Sequence, residues 1–273
     1  MIDKIGIIGG SGFYKFSSDC SIKNIETPFG KVSLQISTLE NTEIAFIPRH
    51  GIDHDIPPHK VNYRANIYAL YSHGIKKIVA TNSVGSLIEE VKPGDFVIPD
   101  QFLDFTKNRE TSFFDGEFET KILLPDNTME IRNKCVHLSN MSQPYCNQLS
   151  RDIFATLIHV GLELENIHKS GTYVCTEGPR FETSAEIKAF QMLGGTIVGM
   201  TTIPECVLAR ELGMCYSSIS LPVHYATGFN EPCQVGEALK LLKKNIHTVK
   251  QTITELLKLI DDTQEKCKCY LTA

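Results

Sequence analysis

Short runs of β-branched and other apolar residues recur along the chain, each closed by glycine, proline or a polar cluster. Between them lie longer stretches whose apolar positions return every three to four residues. The first kind of pattern predicts strands, the second predicts amphipathic helices. Strands are expected at 4–8, 32–36, 44–47, 75–81, 96–98, 171–176, 196–200 and 214–220. Helices are expected at 60–73, 144–160, 184–193 and 203–212, with Pro204 tolerated in a first turn. The last helix spans 235–259, where Ala238, Leu239, Leu242, Ile246, Val249, Ile253, Leu256 and Leu257 share one face. Strands alternating with helices predict an α/β protein whose sheet is covered on both faces. No repeat, linker or break in composition divides residues 1–273, so a single domain is expected. Within it, 100–145 reads as an elaborate polar loop and 261–273 as a flexible tail.

The formal net charge of −5 argues against nucleic acid as the main partner, yet leaves room for a local anion site. No apolar run reaches the length of a membrane span, and Met1-Ile2-Asp3-Lys4 shows no secretory leader, so a cytoplasmic protein is expected. Nine cysteines fall at scattered positions, 20, 135, 146, 175, 206, 215, 233, 267 and 269, without a Cys-x-x-Cys pair. Zinc-ribbon and thioredoxin readings therefore lack an anchor, and most of these thiols read as small buried apolar residues. Cys267 and Cys269 read as part of a solvated tail.

Several loops at strand ends carry candidate chemistry. Gly9-Gly10-Ser11-Gly12 is either a tight turn or a place where bare backbone and a hydroxyl approach an anion. It is neither a dinucleotide fingerprint nor a Walker loop. Arg49-His50-Gly51 places a guanidinium, which can hold an oxyanion bidentately, beside an imidazole. A metal site made from His50, Asp53, His54, Asp55 and His59 is disfavoured, because Pro57 and Pro58 keep these side chains from converging. Asn82-Ser83-Val84-Gly85-Ser86 and Met200-Thr201-Thr202-Ile203-Pro204-Glu205 add two more segments at strand ends, the edge where open α/β sheets bind ligands. Between Glu177 and Thr183, two readings stay open. Thr183 and Glu186 fit a helix capping box, while Phe181 and Glu182 could stack on a flat heterocycle and accept its N–H.

Taken in order, these segments resemble the trimeric purine nucleoside phosphorylase family, most closely its methylthioadenosine phosphorylase branch. The resemblance runs through 6–12, 48–51, 57–66, Gly94-Asp95, 100–102, 112–116, 177–181 and 199–202. It implies a mixed central β-sheet flanked by helices and a phosphate site at Ser11, Arg49, His50, Asn82, Ser83 and Thr201. It places Phe181 and Met200 at the base and ribose, and Tyr225 also in the substrate site. It further implies a homotrimer, phosphate as co-substrate, a purine nucleoside as substrate, and no metal or organic cofactor.

Departures from the branch sharpen the expectation. His224 and Ala226 stand where the branch carries two aspartates that read adenine, and Glu182 stands where it carries serine. A carboxylate at 182 suits the N1–H of a 6-oxopurine, and Ala226 cannot accept from an exocyclic amine, so inosine- or guanosine-type bases are expected. His224 is the expected catalytic residue, meeting purine N7. Val235, with Ala238 and Leu239 one turn on, replaces a family histidine and suggests an apolar wall for a 5′-methylthio group. The alternatives are a methylthioadenosine phosphorylase and a non-catalytic nucleoside or anion sensor.

Overall fold

The computed structural model describes residues 3–39, 41–123, 129–133, 135–229, 235–259, 267 and 269. The chain opens with β1 (Asp3–Gly9), β2 (Ser21–Thr27), β3 (Gly30–Leu39), β4 (Thr42–Pro48), α1 (Tyr63–Ser72), β5 (Lys77–Ser86), β6 (Phe96–Val97) and β7 (Gln101–Phe105). It continues with β8 (Glu119–Leu123), β9 (Met129–Asn133), α2 (Asn147–His159), β10 (Ile167–His168), β11 (Thr172–Thr176), α3 (Ser184–Met192), β12 (Ile197–Gly199), α4 (Thr202–Glu211), β13 (Cys215–Tyr225) and α5 (Val235–Leu257).

The main sheet runs β10-β6-β13-β5-β1-β4-β3-β2. Its centre is parallel, with β13, β5, β1 and β4 all pointing the same way, and β3 and β2 add an antiparallel edge. The far end of β5 also pairs antiparallel with β12, from which β11 and β7 branch off. This is one mixed α/β domain. Apolar runs in the central strands serve both faces at once, as parallel sheets require. In β4, Ile44 and Phe46 join the cluster under α2 and α5, while Ala45 and Ile47 join the one under α1 and α4. Each such isoleucine or phenylalanine contributes roughly 1.5–3 kcal/mol by burial.

The predicted strands and helices all appear, with ends shifted by a few residues. Five differences matter. The segment 100–145 is not only loop, since β7 joins the sheet and β8 pairs with β9 in a hairpin. β2, whose pattern is mostly exposed, and the two-residue β10 carry too little apolar signal to be seen in sequence. Residues 82–86 do not follow a strand but continue β5. In α4, Ile203 has extended backbone (φ −114°, ψ 129°), so the regular helix begins after it. Of 261–273, only Cys267 and Cys269 fall among the described residues, and Cys269 is buried rather than solvated. No helix among the described residues is long and apolar enough to cross a membrane.

Candidate active site

Because β1, β4, β5 and β13 run parallel, their C-terminal ends meet at one edge of the sheet, where a cavity of about 670 Å³ opens. That volume suits a ligand of nucleoside size. Ser11 after β1, Arg49 and His50 after β4, Asn82 and Ser83 in β5, and Thr201 after β12 all line it. So do Phe181, Glu182, Met200 and His224.

One part of the cavity wall is cationic and rich in hydrogen-bond donors. Arg49 is fully buried and held from three sides. Nε and Nη2 donate to the two carboxylate oxygens of Glu205 at 2.5 and 2.9 Å, and Nη1 donates to the Thr81 carbonyl at 2.8 Å. Tyr216 in turn donates to Glu205 at 2.7 Å. Burial alone would lower the guanidinium's pKa, but the Glu205 charge and hydrogen bonds outweigh it and hold Arg49 firmly protonated. Two of its five N–H groups remain uncommitted by these contacts. Beside it, Thr201 Oγ1 donates to Asn82 Oδ1 at 2.9 Å, which fixes the amide with its Nδ2 donor outward. Asn82 Nδ2 and Ser83 Oγ are buried without a hydrogen-bond partner. Orphaned buried donors cost roughly 1–3 kcal/mol each. Both of these residues line the cavity together with Arg49. Gly10 completes the cradle: its N–H donates to Thr81 Oγ1, and a Cβ there would collide with the Thr81 carbonyl and stand 3.1 Å from Arg49 Nη1.

His50 donates Nδ1–H to the Ile56 carbonyl at 2.9 Å. Burial, and then the neighbouring Arg49 charge, push its pKa down to about 4, so the ring is neutral near pH 7 and offers Nε2 as an acceptor. It therefore suits a phosphate oxygen that still carries a proton.

The other end is flatter and more apolar. Phe181 packs edge-on against His224, ring centroids 5.6 Å apart. Glu182 accepts from Thr176 Oγ1 at 2.6 Å, which orients its carboxylate at the cavity wall. Both readings of 177–183 hold in different residues, because Thr183 and Glu186 do form the capping box of α3 while Phe181 and Glu182 face the cavity. A register shift at Val223 inserts one extra residue into β13, so consecutive residues Val223 and His224 both reach the cavity. Tyr225 and Ala226, expected in the substrate site, do not line the cavity: Tyr225 packs on Phe229, and Ala226 is buried among Leu87, Val174, Ile187, Phe190 and Val198.

Ala238, Leu239 and Leu242 of α5 also line the cavity, as do Tyr14 and His54. Gly12, with φ 80°, lets the loop after β1 pass against Leu242, where a Cβ would sit 2.7 Å from its methyl. The side chain of Val235 lies outside the described residues. The stretch from His50 to His59 forms no metal-ligating group among the described residues.

Two residues had no role assigned from sequence. Glu205, on α4, is the counter-ion that positions Arg49. Arg109, from the supposed loop, donates to the carbonyls of Thr176, Glu177 and Ile203 and pairs with Glu177, tying the Phe181 segment to the start of α4. Neither carries a local motif, since each partner is distant in sequence.

Residues 4–258 match the model of the phosphorylase superfamily. The chain belongs to that superfamily. It is 41% identical over 268 residues to the 6-oxopurine nucleoside phosphorylase of Pyrococcus furiosus, covering 97% of this chain and 96% of that one. To the S-methyl-5′-thioadenosine phosphorylase of Pyrococcus abyssi it is 44% identical, with the same coverage. Among solved structures, a methylthioadenosine phosphorylase from an antarctic soil metagenomic library superposes with TM-score 0.85 at 34% identity, covering 99% of this chain and 90% of that chain. The Schistosoma mansoni methylthioadenosine phosphorylase in complex with adenine gives 0.84 at 32%, covering 94% and 91%. Membership in the superfamily makes the chain a pentosyltransferase-type enzyme.

Proposed function

We propose that the protein is a purine nucleoside phosphorylase acting on 6-oxopurine nucleosides: inosine, guanosine or 5′-methylthioinosine. Phosphate attacks C1′ of the nucleoside, the N-glycosidic bond breaks, and the products are free base and a pentose 1-phosphate. The observation that carries the reading is the pair of orphaned donors, Asn82 Nδ2 and Ser83 Oγ, beside the Arg49–Glu205 pair. They suit the phosphate, with Ser11, His50 and Thr201 around it. The sugar becomes cationic as the bond breaks, so an anion fixed beneath C1′ is stabilised most at that point. The chemistry needs neither a redox group nor a metal.

For the base, Phe181 and Met200 supply the flat apolar contact, and the Glu182 carboxylate suits a ring N–H that hypoxanthine and guanine have and adenine lacks. His224 donates Nδ1–H to the Tyr225 carbonyl at 2.8 Å, which leaves Nε2 for the base. A neutral ring there can only accept, so donation to purine N7 requires the imidazolium. That proton stabilises the leaving base as negative charge collects on it.

The apolar wall of Leu239 and Leu242 favours a 5′-methylthio group, which keeps S-methyl-5′-thioadenosine as the second reading. A phosphorolysis panel decides between them. Hypoxanthine released from inosine or methylthioinosine, only when phosphate is present, supports the proposal. Adenine released preferentially from methylthioadenosine would replace it with the second reading, and no phosphate-dependent release would leave the sensor. Family resemblance also supports a homotrimer, which light scattering on the purified chain tests.

A further inference from the structure

β7 and β11 pair in parallel up to their last residues, Phe105 beside Thr176, so the segments leaving them emerge side by side. That places Arg109 against the chain leading to Phe181 and Glu182. Its side chain is 2% exposed and makes five hydrogen bonds, one for each N–H it carries. Nε donates to Glu177 Oε1 at 3.2 Å, and Nη2 donates to the carbonyls of Thr176 and Glu177 at 3.1 and 2.8 Å. Nη1 donates to the Ile203 carbonyl at 2.6 Å and to the Tyr63 hydroxyl at 3.2 Å. Tyr63 extends the link by donating to the Pro58 carbonyl at 2.9 Å. The backbone N–H groups of Lys107 and Asn108 hold the other carboxylate oxygen of Glu177.

The three segments held in this way each deliver a different part of the cavity. Thr176 donates to Glu182, the carboxylate offered to the base. Ile203 lies between Thr201 and Glu205, the counter-ion of Arg49. Pro58 is itself part of the cavity wall. We propose that Arg109 is a positioning residue that sets the span between the base-binding and phosphate-binding walls. The inference rests on the phosphorylase reading and deepens it. Arg109 does not line the cavity, so it acts through these neighbours alone.

Phosphorolysis makes that span matter. Phosphate and base stand on opposite sides of C1′, so nucleophile, anomeric carbon and glycosidic nitrogen must fall on one line. Each half-site can still hold its own ligand when the separation is slightly wrong. The attack is then slowed, because a misplacement of about 1 Å costs roughly 10²-fold in rate. Lysine cannot take over the task. Its ammonium is a point charge with three donors, whereas the planar guanidinium reaches three segments at once.

The test compares the full-length wild type, Arg109→Lys and Arg109→Ala in inosine phosphorolysis, with hypoxanthine affinity measured separately by calorimetry. Arg109→Lys should lose about 10²-fold in kcat, while phosphate KM and hypoxanthine Kd each shift by less than about threefold. Millimolar guanidinium chloride should restore about tenfold in kcat to Arg109→Ala by refilling the fork, and sodium chloride at equal ionic strength should not. Arg109→Lys keeps the buried charge, and full hypoxanthine stoichiometry verifies its fold, so the test does not hang on the alanine variant. Undiminished kcat in Arg109→Lys would overturn the inference. So would a joint fall in kcat, phosphate affinity and hypoxanthine affinity without guanidinium rescue, the behaviour of a general structural staple. A wild type that releases no base when phosphate is present would instead refute the phosphorylase reading, and the inference with it.

Discussion

Replacing Glu205 by glutamine tests how the anion end of the cavity is built. The wild-type carboxylate takes two hydrogen bonds from Arg49 and one from Tyr216, with both side chains of the ion pair essentially unexposed. Glutamine keeps one acceptor oxygen but turns an NH₂ group toward a guanidinium that has only donors. Arg49 cannot shed its proton, so the variant buries an uncompensated charge, at a cost of about 3–5 kcal/mol. For a domain of this size, each kcal/mol lowers Tm by about 2–4 °C, so a fall on the order of 10 °C is expected without phosphate. Phosphate can then replace the lost counter-charge. It should raise Tm more in the variant than in the wild type, because binding to the native state alone stabilises it by mass action. Thermal melts of both proteins across a phosphate titration measure this, with chloride at matched ionic strength as control. Equal melting temperatures, or parallel phosphate responses, would refute the assignment of Arg49 to a phosphate site.

Glu182→Ser removes the carboxylate offered to the ring N–H and should lower kcat/KM for inosine about 10–100-fold, with a much smaller change for adenosine. Equal losses on both substrates would detach Glu182 from base selection. His224→Ala should lower kcat by roughly 10²–10⁴-fold with a smaller change in KM, and His224→Asn should retain more activity; equal small losses would make His224 a bystander. His50 gives a pH dependence: its pKa is lowered from 6.5 to about 4 by burial and the Arg49 charge, so its contribution is intact above pH 6.5 and lost as pH falls toward 4. The loss amounts to at most roughly 3 kcal/mol, and His50→Gln should flatten that part of the stability profile in urea melts without phosphate. An unchanged profile would mean the imidazole titrates normally in the folded chain.

Local periodicity was enough to reveal the central strands and all five helices, because each of those segments buries a continuous run or one face regardless of its partners. Small polar residues near the ends of buried strands pointed to the same sheet edge, although 82–86 are the end of β5 itself, and ten of the residues they and the resemblance nominated line one cavity. What escaped was set by contacts between distant parts of the chain. β7 and the β8–β9 hairpin are polar enough to look like loop, and only pairing with β11 or with each other makes them strands. The bulge at Val223 is a register event between β13 and β5, invisible in either strand alone, yet it sends His224 into the cavity and Ala226 behind it. Glu205 lies 156 residues from Arg49, so sequence could supply a guanidinium but not the carboxylate that fixes it. The cysteines make the same point at the opposite edge of the sheet. Cys146, Cys215, Cys267 and Cys269 share no common spacing, yet their Sγ atoms lie within 4.8 Å of one another, and proximity in space is a property that only the folded chain possesses.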